Sequence, residues 1–143
     1  MLQQKIGHEG EELVNQYLNK LKAQKKIESF EWVSQGNPTA PLDFRVRYPN
    51  FIIKIDVKTT IGAVTENFFL SSAEIQEMST STTYKIYRVY QVRSGRPLLR
   101  VSGNLVEFSR KLERLKHQMP KGVNIDSVSV DPKVLNFESE VEL

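Results

Sequence analysis

The sequence predicts an α/β (α+β) domain in which a mixed central β-sheet is flanked by helices. Two long segments repeat their apolar residues at helical spacing, and several shorter segments alternate apolar and polar residues as strands do. The length of 143 residues suits one domain, which at this size buries roughly two thirds of the surface of the unfolded chain. Because the chain has no cysteine and only two histidines, the sequence argues against a disulfide scaffold, a thiol nucleophile and a site of several histidines.

The first half of the chain predicts one helix followed by a region rich in strands. An amphipathic helix is expected over 9–24, where the apolar residues form one stripe. The turn-forming residues of 35–41 indicate a loop. Two strands with alternating apolar and polar residues follow at 42–48 and 51–58, and a short strand is expected at 67–70.

The second half begins with a helix whose first residues resemble a capping box. Either Ser71 or Ser72 is the expected N-cap, and Glu74 lies three residues after Ser71. Further strands are expected at 84–92, 97–101 and 123–130, and a second long amphipathic helix at 105–119. We expect the domain to occupy residues 1–132 and the acidic C-terminal tail, 133–143, to fray.

The net charge of +3 is concentrated in one part of the chain. Residues 85–121 contain ten basic side chains and two acidic ones. A block of this kind suits the phosphate backbone of a nucleic acid, and it is equally typical of a solvated helix face. The candidates for phosphate contacts on the second long helix are Arg110, Lys111 and Arg114.

The two strands at 42–48 and 51–58 are separated by two residues, which predicts an antiparallel hairpin. With a two-residue loop, the register places Asp43 directly opposite Asp56, and Lys58 lies on the same face as Asp56. Two carboxylates this close repel each other unless a cation lies between them. A divalent cation such as Mg²⁺ or Mn²⁺ suits these oxygen ligands. The alternative is a salt-bridged, solvent-exposed face formed by Asp43, Arg45, Lys54, Asp56 and Lys58.

The order of these residues favours catalysis over a plain charged surface. The segments Pro41-Leu42-Asp43 and Ile55-Asp56-Val57-Lys58 resemble the motif of the PD-(D/E)XK nuclease superfamily. Over about residues 5–92 the chain resembles the nuclease-like domain at the C-terminus of NO VEIN proteins. The segments that carry this second resemblance are Gly7–Glu11, Asp56–Thr60, Phe69–Ser71 with Glu74, and Tyr84–Val89.

The resemblance implies a restriction-endonuclease-like fold and a metal-dependent DNA endonuclease that hydrolyses phosphodiester bonds with Mg²⁺ or Mn²⁺. It implies that Asp43, Asp56 and the carbonyl of Val57 ligate the metal, and that Glu11 supplies a further metal contact, with Glu9 and Glu12 as its competitors. Lys58 would orient or help to deprotonate the attacking water and stabilise charge on the phosphate. The candidate DNA contacts are Arg45, Lys54, Thr59, Thr60, Arg110, Lys111 and Arg114.

Two other functional classes remain open. One is a non-catalytic DNA-binding or assembly module with the same fold, and the other is an interaction domain with ordinary surface charges. The resemblance implies DNA as a partner, a helicase, an ATPase or another module of a restriction, defence or repair system as a second partner, and leaves a homodimer open. Because no apolar run approaches about 18 residues, we expect an intracellular, cytoplasmic protein without a membrane partner.

Overall fold

The computed structural model describes residues 2–143, which form four α-helices, eight β-strands and one 3-10 helix. The helices are α1 (Leu2–Ala23), α2 (Val33–Gly36), α3 (Ser72–Ser79) and α4 (Val106–His117), and the 3-10 helix is Pro132–Val134. The strands are β1 (Ser29–Trp32), β2 (Phe44–Arg47), β3 (Ile52–Thr59), β4 (Phe68–Ser71), β5 (Tyr84–Tyr90), β6 (Leu98–Val101), β7 (Ser127–Val130) and β8 (Val141–Glu142). None of the helices in this range is long and apolar enough to cross a membrane.

Six strands form a mixed sheet in the order β1-β2-β3-β5-β6-β8, and β4 and β7 form a separate two-stranded sheet. The neighbours β3 and β5 are parallel, whereas the other pairs of the large sheet are antiparallel. The parallel pair needs a crossover, which β4 and α3 supply. This arrangement confirms the predicted α+β class with a mixed central sheet.

The large sheet separates two apolar cores. On one face α1 packs Val14 and Leu18 against Phe44 and Ile55 of the hairpin. On the other face α3, α4 and the small sheet form a second core, which includes Leu70, Ile75, Met78, Tyr84 and Ile86. Because side chains alternate along a strand, the charged residues of β3 face α3 rather than α1. The charged face of β3 is therefore covered by α3, whereas Arg45 of β2 remains partly exposed.

The N-terminal region differs from the prediction at α1, at β1 and at the short helix α2, whose last two residues fall in the predicted loop. Helix α1 begins at Leu2 rather than at residue 9, because Ile6 continues the buried row of Gly10, Val14 and Leu18 by one more turn. Strand β1 was not predicted. With four residues it is too short for its alternation to be distinguished from chance, and it forms by pairing with β2.

The expectation that the tail frays is wrong. Leu99 of β6 pairs with Val141 of β8, and Ser102 forms a bridge with Phe137. Without this segment β6 would be an exposed edge strand with unpaired backbone groups, so the acidic tail completes the sheet. The strand predicted at 123–130 is also shorter, because only Ser127–Val130 pairs with β4.

Candidate active site

The predicted register of the β2–β3 hairpin is confirmed. Phe44 pairs with Ile55, and Arg45 pairs with Lys54. Beyond Phe44 the ladder ends, and the backbone N–H of Asp43 donates to the carbonyl of Ile55 at 2.8 Å. The Oδ2 atom of Asp43 accepts a hydrogen bond from the Val57 N–H at 2.7 Å. The carboxylate of Asp43 therefore contacts β3 at the residue that follows Asp56. Asp43 therefore lies outside the ladder, but its side chain and that of Asp56 contact each other and do not lie on opposite faces of the sheet.

Backbone contacts from two sides hold the segment that carries Asp43. Its carbonyl accepts hydrogen bonds from the N–H groups of Val33 at 2.8 Å and Ser34 at 3.3 Å. The hydroxyl of Tyr84 on β5 donates to the carbonyl of Pro41 at 2.7 Å. Asp43 is therefore placed by rigid elements rather than by a free loop, which is what a binding site requires.

Asp56 is the most deeply buried acid of this cluster, with 3% of its surface exposed. Its Oδ2 atom lies 3.1 Å from Nζ of Lys58, but within residues 2–143 this oxygen accepts no well-aligned hydrogen bond. Burial raises the pKa of Asp56 well above its ordinary value. Lys58 opposes this change, and the carboxylates of Glu74 and Asp43 add to it. A buried carboxylate with an unpartnered oxygen is a typical place for a bound cation.

Glu74 positions Lys58. The Nζ atom of Lys58 donates to both carboxylate oxygens of Glu74 at 3.1 Å. Burial opposes both charges, but Asp56 and Glu74 together raise the pKa of Lys58, and Lys58 lowers the pKa of Glu74. The predicted capping box is confirmed, since Glu74 also accepts from the Ser71 N–H at 2.9 Å while Ser71 Oγ accepts from the Glu74 N–H. The contact with Lys58 was missed, because a capping box predicts only where α3 starts.

Glu11 is the acid of α1 that faces Asp43. Its Oε1 atom accepts hydrogen bonds from Nε1 of Trp32, at 3.0 Å, and from the hydroxyl of Ser34. Burial raises the pKa of Glu11, and the negative charge of Asp43 adds to this shift. The two competitors are engaged elsewhere, because Glu9 pairs with Arg93 at 2.9 Å and Glu12 contacts His8 at 3.3 Å.

The chemistry of the cluster fits a hard divalent cation. The acidic side chains of the cluster, Asp43 and Asp56 with Glu11 beside Asp43, offer only oxygen ligands, and the predicted ligand residue Val57 contacts Asp43 through its backbone N–H. In the described part of the chain no group of three or more His, Cys, Asp or Glu side chains is arranged to hold a metal ion. Mg²⁺ is usually bound by one or two carboxylates and keeps several water molecules as its other ligands. Two aspartates are therefore enough protein ligands for this ion.

The predicted DNA contacts on β2, on β3 and just after β3 are each engaged by other groups of the protein. Arg45 pairs with Glu31 at 3.1 Å, and Lys54 pairs with Glu77 of α3. The Oγ1 atom of Thr59 is buried against α1, in the space that a Cβ at Gly10 would occupy. Thr60 donates to Glu66 at 2.6 Å.

The three predicted DNA contacts on α4 lie on a helix that packs against α3. Arg110 pairs with Glu107 at 2.7 Å and donates to the carbonyl of Ser79, at the end of α3 farther from Glu74. Lys111 and Arg114 are exposed. Of the predicted DNA contacts, Lys54 thus shares with Lys58 the face of β3 that α3 covers, whereas Thr59 lies on the opposite face and Arg110 contacts the end of α3.

One comparison with known proteins supplies a family. The sequence model of the family described as Protein NO VEIN, C-terminal, matches residues 10–101, a range that begins in α1 and ends with β6. It includes Glu11, Asp43, Asp56 and Lys58. No curated protein and no solved structure gave a significant match to the chain. The matched range covers more than half of the chain, and the chain belongs to the family of the NO VEIN C-terminal domain.

Proposed function

We propose that this domain is a metal-dependent DNA endonuclease of the PD-(D/E)XK type, which hydrolyses phosphodiester bonds. The observation that carries the proposal is the meeting of Asp43, Asp56 and Lys58 at one point, where Asp56 is buried and one of its oxygens lacks a hydrogen-bond donor. A salt-bridged surface would leave these residues exposed. Burying two acids and a lysine together is costly, and such clusters are concentrated at functional sites.

In this proposal Asp43, Asp56 and the Val57 carbonyl hold Mg²⁺ or Mn²⁺. A bound ion of this kind polarises a phosphoryl oxygen and makes a water molecule nucleophilic at neutral pH. Lys58 donates to a phosphate oxygen and stabilises the charge that develops there. Glu74 is a positioning residue, because it holds the ammonium group of Lys58 beside Asp56.

The direct test is nicking of supercoiled plasmid in the presence of Mg²⁺ or Mn²⁺. We expect the wild-type protein to nick the plasmid and Asp56→Asn to lose this activity, because the substitution removes one ligand charge with little change in shape. Asp126→Asn is the matched control, since Asp126 is exposed. Cleavage by Asp56→Asn at the wild-type rate, in a preparation free of contaminating nuclease, would contradict the proposal.

A second candidate is a DNA-binding or assembly module without turnover. It is favoured by the ion pairs of Lys58, which Asp56 and Glu74 complete without a metal. The variant Lys58→Ala separates the two, because a nuclease loses cleavage but keeps most of its DNA affinity. If wild-type protein retains DNA in a salt-dependent manner and never cleaves it, the non-catalytic module is the better description.

The cellular setting belongs to the same proposal. The family resemblance supports an intracellular restriction, defence or repair system in which a helicase, an ATPase or another module brings the domain to DNA. Co-purification of the domain with such a module, under conditions that keep complexes intact, would test this partner.

A further inference from the structure

A buried arginine without an acidic partner lies next to the candidate site. Arg88 is 2% exposed and pairs with Lys58 across the parallel β3–β5 ladder, so the two cations lie side by side. Lys58 is neutralised by Asp56 and Glu74. Within residues 2–143 Arg88 has no such carboxylate: its Nη2 atom donates to the carbonyl of Glu66 at 2.7 Å, and its Nε atom has no acceptor.

A purely structural role explains this arginine poorly. The guanidinium group lies 5.4 Å from the centre of the Phe68 ring, and one hydrogen bond ties it to the backbone of the segment before β4. A guanidinium group has five N–H donors, and a buried charge with unsatisfied donors is costly. A neutral side chain would pack against Phe68 at lower cost. The remaining donors of Arg88 are therefore available for an anion that enters from outside the fold.

The structure provides an entrance for such an anion. Arg88 lines a cavity of about 540 Å³, which also reaches Lys58. The lining also includes Asn67, Phe68 and Phe69, and Phe69 is 65% exposed. This volume lies within the range of small-molecule sites. The lining of the cavity thus includes a buried guanidinium group and an exposed aromatic residue.

Only one acidic side chain lines this cavity. Glu66 is engaged by the hydroxyl of Thr60, at 2.6 Å, so its carboxylate is tied to the end of β3. Asp56 and Glu74 neutralise Lys58, so the attraction for an anion comes from Arg88, whose Nε atom has no acceptor within residues 2–143. An anionic group is therefore the complementary occupant.

We propose that this cavity binds one nucleotide of a DNA strand, with a phosphate on the guanidinium group of Arg88 and the base against Phe69. Phosphate matches the donor fork of an arginine, and an exposed aromatic ring is a surface on which any base stacks. The position beside Lys58 makes this nucleotide a neighbour of the phosphate that is cleaved. The identity of the ligand as part of DNA rests on the proposed nuclease function, whereas its nucleotide chemistry rests on the cavity itself.

The test uses thymidine 5′-monophosphate and thymidine as probes, with calorimetric titration of the full chain at low salt and without divalent cations. We expect the monophosphate to bind about tenfold or more tightly than thymidine, because the phosphate adds charge-assisted hydrogen bonds. Arg88→Gln should remove this preference, with the exposed Arg114→Gln as its matched control.

A second variant keeps the test valid if Arg88→Gln does not fold. Phe69→Ala changes an exposed side chain and should weaken binding of the monophosphate about fivefold or more through lost stacking. Phe51→Ala is its control, because Phe51 is 52% exposed at the turn of the hairpin, outside the cavity. Absence of monophosphate binding by the wild-type protein, or equal binding by Phe69→Ala, would overturn the proposal.

The two proposals fail in different ways. Wild-type protein that nicks plasmid but does not bind the monophosphate would retain the nuclease function and overturn the nucleotide cavity. Wild-type protein that binds the monophosphate but neither cleaves nor retains DNA would support the cavity and contradict the nuclease function.

Discussion

Replacing Asp56 by Asn should stabilise the metal-free protein, although the same change should abolish its proposed activity. Burial, together with the charges of Glu74 and Asp43, outweighs the attraction of Lys58 and raises the pKa of Asp56 well above its ordinary value. The folded state therefore binds the Asp56 proton more tightly than the unfolded state does. Above the ordinary pKa of about 3.9, the ionised carboxylate lowers the stability of the fold.

The magnitude follows from this linkage. As the pH rises from about 4 through the raised pKa of Asp56, the free energy of unfolding of the wild type loses up to about 1.4 kcal/mol per pH unit relative to Asp56→Asn. We therefore expect the variant to be more stable than the wild type near pH 7 in the absence of metal. Below about pH 4, where Asp56 is protonated in both states, the difference should disappear.

In the presence of a divalent cation, the wild type should become more stable than Asp56→Asn. Bound ligand at a concentration 100 times its dissociation constant stabilises a fold by about 2.7 kcal/mol, and the variant lacks one ligand charge. The assay is urea unfolding in EDTA and in Mn²⁺, at several pH values, with Asp126→Asn as the control. An Asp56→Asn protein that is less stable than wild type in EDTA, or that gains as much from Mn²⁺, would refute the assigned electrostatics.

Two further variants test how DNA and Lys58 are held. Replacing Arg110, Lys111 and Arg114 together by Gln removes up to three phosphate contacts. Because each contact contributes about 0.9 to the slope of log affinity against log salt concentration on duplex DNA, this slope should decrease by up to about 2.7. A slope equal to that of the wild type would show that this helix face is only solvated. Glu74→Gln should slow nicking without changing DNA affinity, because Lys58 loses its charged partner. Ser71→Ala, which breaks the same capping box at a cost of about 1 kcal/mol in stability, should leave the nicking rate unchanged.

Local patterns in the sequence determined the hairpin and the start of α3. The alternation along β2 and β3 and the short turn between them leave only one register that keeps the apolar side chains on one face, and this register brings Asp43 to Asp56. The capping box is equally local, because Ser71 and Glu74 are three residues apart and bond to each other's backbone. Features of this kind depend on spacing, which is visible in the printed chain.

The tertiary structure alone decided which groups surround these residues. Glu74 reaches Lys58 only because the crossover from β3 to β5 lays α3 over the charged face of β3. Arg88 looks like one of many basic residues of its segment, and its burial follows from the position of β5 between β3 and β6. The pairing of Val141 with Leu99 likewise joins segments far apart in the chain. Such contacts depend on how whole elements pack, and periodicity within one segment carries no information about its partner.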